Sequence, residues 1–206
     1  MGRDQGGLSP ADDRAHGDRS DRHVDALIEP FLPIRTARLL LRTMVEDDIG
    51  GLHAYRNGPH VDYQSWDLPY PIEDAEELVR DSAQHDGPVR DGWVQIAIDK
   101  DGELVGDVAI GLDTEGRIAT IGYTLRDDVQ GQGIAREAAR AVVARLFEHL
   151  GVHRIEASTA PENERSIRLL LSLGFTSEGT SRQSYWARGR WWDDARFGLL
   201  ASDPRT

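Results

Sequence analysis

Six residues, Gln130-Gly131-Gln132-Gly133-Ile134-Ala135, stand between a strand-like run from Ile118 to Leu125 and a helical one from Arg136 to Leu150. A glycine-rich turn that opens a helix is an anion cradle, because glycines let the backbone approach a ligand with no Cβ in the way. The first-turn amides, which lack partners inside the helix, point outward with the positive end of the dipole behind them. A diphosphate suits such a turn. An ATP or GTP loop needs Gly-Lys-Ser/Thr, and a dinucleotide turn needs a third glycine three residues after Gly133. Position 134 is Ile and position 136 is Arg, so both alternatives fail. The spacing present is Gln-x-x-Gly-x-Ala, carried by Gln130, Gly133 and Ala135.

The elements around this turn follow from periodicity and breakers. A short strand begins at Leu39, and a helix is expected from about Glu46 to Asn57, with Glu46, Asp47 and Asp48 complementing its dipole. An irregular segment from Gly58 to Pro71, rich in aromatic and turn residues, precedes an acidic helix from about Ile72 to Gln84. Trp93 to Ile98 and Glu103 to Gly111 flank a hairpin turn at Asp99-Lys100-Asp101-Gly102, and Asp113 to Gly116 is a second turn, so three antiparallel strands follow one another. Ala135, Ala138, Ala139, Val142, Val143, Leu146 and Leu150 give the helix after the cradle one face for a sheet. Ile155 to Ser158 then returns as a parallel neighbour of the cradle strand. A helix over about Glu164 to Leu173 stops at Gly174, and Thr180 to Trp186 with Trp191 to Leu200 closes the sheet as a hairpin across Arg188-Gly189. The fold class is α/β. Residues 1–30, polar and without apolar period, read as a mobile tail, and residues 31–206 as one domain.

Composition narrows the function. The chain of 206 residues carries a formal charge of −12, which disfavours sequence-independent contact with nucleic acid and either simply keeps the protein soluble or suits a cationic amine. It holds no cysteine, which removes disulfides, thiolate zinc sites and cysteine nucleophiles and fits a cytoplasmic setting. No histidine pair has metal-ligand spacing, so no metal is assigned. No run is long and apolar enough to span a membrane, and the N-terminus has no apolar signal core, so neither membrane nor secretion is expected.

The segment from Gln130 to Ala135 resembles the pyrophosphate-binding motif of the GCN5-related N-acetyltransferases, whose cosubstrate is acetyl-CoA. Downstream, Pro161-Glu162-Asn163-Glu164-Arg165-Ser166, Gly174-Phe175 and Glu178-Gly179 are similar to the branch that acetylates ribosomal-protein N-termini and to its small-molecule relatives. Upstream, Thr36-Ala37-Arg38-Leu39-Leu40-Leu41-Arg42 with Asp47-Asp48 resembles that branch's opening. The resemblance covers about residues 36 to 200. It implies a mixed central sheet splayed at a bulge at the end of the cradle strand, here Tyr123 to Arg126, with helices on both faces.

By the same resemblance, Leu125 and Arg126 offer backbone contacts to the pantetheine arm, while Gln130, Gly131, Gln132, Gly133, Ile134 and Ala135 hold the diphosphate. Asn163 reaches the pantetheine, although it also reads as a plain helix N-cap. Ser166 is the candidate donor to the departing sulfur, since Leu170 stands where much of the superfamily has a tyrosine. An attacking amine must be neutral, so a carboxylate or an ordered water takes its proton. Glu156 and Asp62 are the candidate bases, and Thr120 stands where many relatives have a glutamate. Tyr63, Trp66, Trp93 and Tyr123, with Trp191-Trp192, could line an acceptor pocket or belong to the core. The reaction implied is direct attack of a primary amine, at a peptide N-terminus or on a small cationic molecule, within a ternary complex. The chain would work as a monomer or homodimer. A catalytically silent acyl-CoA sensor on the same scaffold is the alternative.

Overall fold

The structure, a computed structural model, describes residues 30–59 and 61–204. The tail expected over residues 1–30 lies outside them, except for Pro30. Eight strands form one sheet: β1 (Ile34–Arg35), β2 (Leu40–Thr43), β3 (Gly92–Lys100), β4 (Glu103–Leu112), β5 (Ile118–Leu125), β6 (Arg154–Thr159), β7 (Thr176–Ala187) and β8 (Arg190–Leu200). Their order is β1-β2-β3-β4-β5-β6-β8-β7. Four helices accompany them: α1 (Ile49–Arg56), α2 (Ile72–Ser82), α3 (Ile134–Arg145) and α4 (Glu164–Ser172).

The alternation of β3 explains why both faces are covered. Val94, Ile96 and Ile98 join the larger core with Ala138, Ala139 and Val142 of α3 and Leu170 of α4. Ala97 turns the other way, into a second cluster with Met44, Leu52 and Tyr55 on one side and Ala75 and Val79 of α2 on the other. Phe31 and Leu32 are buried in the larger core.

The expected helix over Glu46 to Asn57 starts as one tight turn, Glu46–Asp48, before α1 proper. Asp48 does more than complement a dipole. It is buried, takes both Nη1 and Nη2 of Arg42 at 2.7 and 2.9 Å, and accepts the Val45 amide at 2.9 Å. That fork pins the entry of α1 to β2. The helix after the cradle begins two residues earlier than expected, at Ile134, and ends in a widened turn over Leu146–Leu150 that stops at left-handed Gly151. Among the described residues no helix is long and apolar enough to cross a membrane.

β5 and β6 pair in parallel as expected, but only through Ile118–Arg154, Ala119–Ile155 and Thr120–Glu156. Beyond that point β5 stays on β4 as far as Leu125, while β6 stays on β8 as far as Thr159. The sheet therefore opens between them. The bulge expected at Tyr123 to Arg126 is not in β5, whose register with β4 is unbroken. It lies on the neighbouring strand: Gly106 faces Ile98 and Leu104 faces Asp99, which leaves Val105 as the extra residue. Val105 O accepts the Arg126 amide at 2.9 Å, so the kinked stretch of β4 holds the tip of β5. Gly106 is required there, because a Cβ would meet Thr124 O and the Leu125 side chain far inside contact distance.

Candidate active site

The opening exposes backbone. Since the Arg126 amide faces β4, alternation turns the peptide groups of Tyr123 and Leu125 toward the gap that β6 has left. Gln130 stands across its mouth: Nε2 donates to Leu125 O at 3.2 Å, and Oε1 accepts from Arg165 Nη1 of α4 at 3.2 Å. Arg126 is arranged differently. Its amide is spent on Val105, and its guanidinium reaches away from the gap to Asp128 and Glu103.

Beside the mouth, Gly131 and Gly133 have φ of 75° and 76°, a left-handed conformation that costs other residues about 1–2 kcal/mol. Gly133 caps α3 with no side-chain hydrogen bond, so the amides of Ile134, Ala135 and Arg136 keep the unpaired state of a first turn. Gly131, Gln132 and Gly133 are exposed, whereas Ile134 is fully buried and anchors the loop on the core, with Ala135 half-buried beside it. An anion can reach these amides, and the exposed backbone and positive dipole end fit a diphosphate.

Arg38 was legible in the sequence only as part of the opening motif, with no role at the cradle. Its amide donates to Glu137 Oε1, Nε to Glu137 Oε2 at 2.7 Å and Nη1 to Gln132 O at 3.0 Å. Thr36 Oγ1 donates to the same carboxylate at 2.6 Å, and these bonds, the Thr36 one foremost, hold the Glu137 carboxyl below its ordinary range. Arg38 Nη2 comes within 3.6 Å of where a Gly133 Cβ would be. The cradle thus has a guanidinium on either side, Arg38 from the β1–β2 turn and Arg165 from α4. The signal available was the pairing of Thr36 and Arg38 with an acid in the first turn of a distant helix, which no local pattern reveals.

Asn163 caps α4, accepting the Ser166 amide on Oδ1 at 3.2 Å. Asn163→Ala is expected to cost about 1 kcal/mol of stability, read as a shifted urea midpoint with an unchanged slope. Because Asn163 does the capping, the Ser166 hydroxyl is available for other work, and it meets Tyr123 Oη at 2.7 Å. Tyr123 shares a face with Ile121 and turns toward α4, so it belongs to the mouth of the gap rather than to an aromatic acceptor pocket.

The other candidates separate. Glu156 is on the sheet face opposite Ile155, and Arg154 Nε binds its Oε1 at 2.7 Å while also holding Glu178. The structure does not bring it to Ser166. Trp93 lies over Gly111 near the start of β3, and Gly111 pairs with Thr120. Five residues of strand separate that level from Leu125, about 17 Å. Register thus sets Trp93 far from the Leu125 end of β5, and it does not line the cavity that holds Tyr63, Trp191 and Trp192; its aromatic type encodes neither relation. Trp66 is engaged in a stack: the Arg56 guanidinium lies 4.3 Å from its ring and 4.9 Å from that of Tyr70, and Trp66 Nε1 donates to Arg56 O.

Tyr63 and Trp191-Trp192 do converge. With Asp62, Glu162 and Asp193 they line a cavity of about 740 Å³ between the segment after α1 and the β7–β8 hairpin. Arg188 at the hairpin tip fastens the two walls, donating to the carbonyl oxygens of Val61, Asp62 and Trp66 at 2.7, 3.4 and 3.1 Å. Among the described residues no cluster could hold a metal ion.

A mixed sheet opened beside an exposed, left-handed glycine cradle agrees with the architecture that the sequence resemblance implies. Residues 38–176 match the family model described as an acetyltransferase (GNAT) domain. The N-acetyltransferase p20 of Bacillus licheniformis is 32% identical over 80% of this chain and 94% of its own. Spermidine N(1)-acetyltransferase of Vibrio cholerae is 26% identical over 81% of this chain and 95% of its own. The structure of RimL, a ribosomal L7/L12 alpha-N-protein acetyltransferase in complex with coenzyme A, superposes with a TM-score of 0.70 at 21% identity, covering 82% of this chain and 98% of that one. The chain belongs to the GCN5-related N-acetyltransferases, enzymes that use acetyl-CoA.

Proposed function

We propose that residues 31–206 form a cytoplasmic N-acetyltransferase domain that moves the acetyl group of acetyl-CoA to a primary amine by direct attack in a ternary complex. The observation that carries this reading is the juxtaposition of two features: the freed edge of β5 at Tyr123 and Leu125, and the amides of the α3 N-terminus beside it. Gln130 to Ala135 receive the diphosphate, with Arg38 and Arg165 flanking it. The peptide groups of Tyr123 and Leu125 accept the pantetheine arm as an added strand would. Holding thioester and amine in line, and donating a backbone N–H where charge develops on the carbonyl oxygen, supplies most of the acceleration.

The amine enters from the cavity between Tyr63 and the β7–β8 hairpin. Its carboxylates, Asp62, Glu162 and Asp193, outnumber Arg188 and Arg190 on the same walls and draw a cation, while the Trp192 ring is already covered by the Arg190 guanidinium at 3.5 Å. A peptide N-terminus and a small cationic amine both answer to this chemistry, and the ribosomal-protein and spermidine acetyltransferases named above span the same range. Asp62, exposed on that wall, is the better placed base, because Glu156 is already bound by Arg154.

Free thiol should appear when the protein is mixed with acetyl-CoA and a panel of peptide N-termini, polyamines and aminoglycosides. Thiol release with at least one amine is the expected result. Tight acetyl-CoA binding with no release for any of them would instead identify a silent sensor.

A further inference from the structure

We propose that Tyr123 is a positioning residue for catalysis: its phenol donates to Ser166 Oγ, so that the serine proton is turned toward the departing sulfur. The inference rests on the reading of Ser166 as the donor at the mouth of the gap.

Three observations carry it. Tyr123 Oη and Ser166 Oγ are 2.7 Å apart, and Oη is 3.4 Å from Ser166 O, so the ring is held against the first turn of α4 from the neighbouring strand. The Ser166 hydroxyl is free for this because Asn163 takes the capping bond through the Ser166 amide. Tyr123 is also a residue of the opened edge of β5, where its peptide group faces the gap. One residue therefore supplies backbone to the gap and a side chain to the group at its mouth. Burial pushes the phenol up to about 12 despite the Ser166 bond, so it stays protonated across the working range and remains a donor. A donating phenol occupies a lone pair of the serine oxygen and leaves the serine hydrogen for another acceptor. In Leu170, the helix offers no hydroxyl of its own one turn further on.

The step balances. The amine lone pair forms the C–N bond, the C–S bond breaks with its electron pair on sulfur, and the nitrogen sheds one proton to its base. Sulfur takes one proton from Ser166 Oγ, and the proton that the base releases to solvent restores the serine hydroxyl, while Tyr123 keeps its own proton throughout.

The test uses the full chain, acetyl-CoA and the amine that gives the fastest thiol release, with Tyr123→Phe, Ser166→Ala and the double variant. Phenylalanine keeps the ring, and melting temperatures verify that each variant folds. Ser166→Ala should lower kcat by about 100-fold and Tyr123→Phe by about 10-fold, both with the KM for acetyl-CoA unchanged. The double variant should be no slower than Ser166→Ala, because the two groups act as a unit. A normal kcat for Tyr123→Phe beside an impaired Ser166→Ala overturns the role of Tyr123 alone, as does a double variant that loses the product of both factors. A normal Ser166→Ala overturns the assignment of Ser166 and this inference together. No release by the unaltered protein with any amine overturns the acetyltransferase reading itself.

Discussion

Gly133→Asp should abolish acetyl-CoA binding, by at least about 100-fold in Kd, while the fold survives. Position 133 is exposed, and apart from Arg38 Nη2 at 3.6 Å nothing crowds a Cβ there. Asp is also among the residues that best tolerate left-handed backbone. The new carboxylate would stand at the positive end of α3, where the phosphates are meant to lie, and would draw Arg38 onto itself. Anion repulsion, loss of the helix-end site and capture of a guanidinium act in the same direction, and about 2.8 kcal/mol between them gives two decades. Gly133→Ala separates charge from backbone: it should cost about 1 kcal/mol of stability and leave binding within a few-fold. Isothermal titration calorimetry reads both, and wild-type affinity in Gly133→Asp would remove the diphosphate from this loop.

Asp107→Ala should be strongly destabilising. Asp107 is 2% exposed, accepts Tyr55 Oη at 2.6 Å, and faces Arg56 Nη2 at 3.9 Å. Arg56 is itself buried between Trp66 and Tyr70, and its Nε has no hydrogen-bond partner. Removing the carboxylate leaves a buried guanidinium without its counter-charge and a buried phenol without its acceptor, a loss of about 3–5 kcal/mol. In a chain of this size the melting temperature should fall by roughly 10 °C. Pairing the change with Arg56→Met should recover much of the loss, since no orphan charge then remains. A fall of under about 2 °C in the single variant would show that the cluster contributes little.

The same group sets a pH dependence. Burial, outweighing Arg56 and the Tyr55 bond, leaves the Asp107 carboxyl above its ordinary 3.8. The folded state therefore binds that proton more tightly than the unfolded chain does. Its contribution is full below 3.8 and is lost as pH rises through the folded value. Asp107→Asn should remove that part of the slope.

Local chemistry made much of this protein legible. Gly131 and Gly133, opening a helix, mark a backbone that a ligand can approach with no Cβ in the way, and the structure adds that both are left-handed. Asn163 announced a helix start through its own hydrogen bond. The three-and-four spacing of Ala138, Ala139 and Val142 describes a face that must be buried, and it is buried. Each of these signals lies within a few residues of the structure it produces.

What the tertiary structure alone decided concerns residues far apart in the chain. Register placed Trp93 level with Thr120, about 17 Å of strand from Leu125 at the tip of β5, and moved the bulge from β5 to Val105 on β4. The packing of α4 against β5 brought Tyr123 to Ser166, and the β1–β2 turn carried Arg38 to a glycine nearly a hundred positions later. A sequence states which groups can donate, accept or carry charge. Which of them meet depends on how the strands slide past one another and where the helices come to rest, and that is settled by the whole core at once.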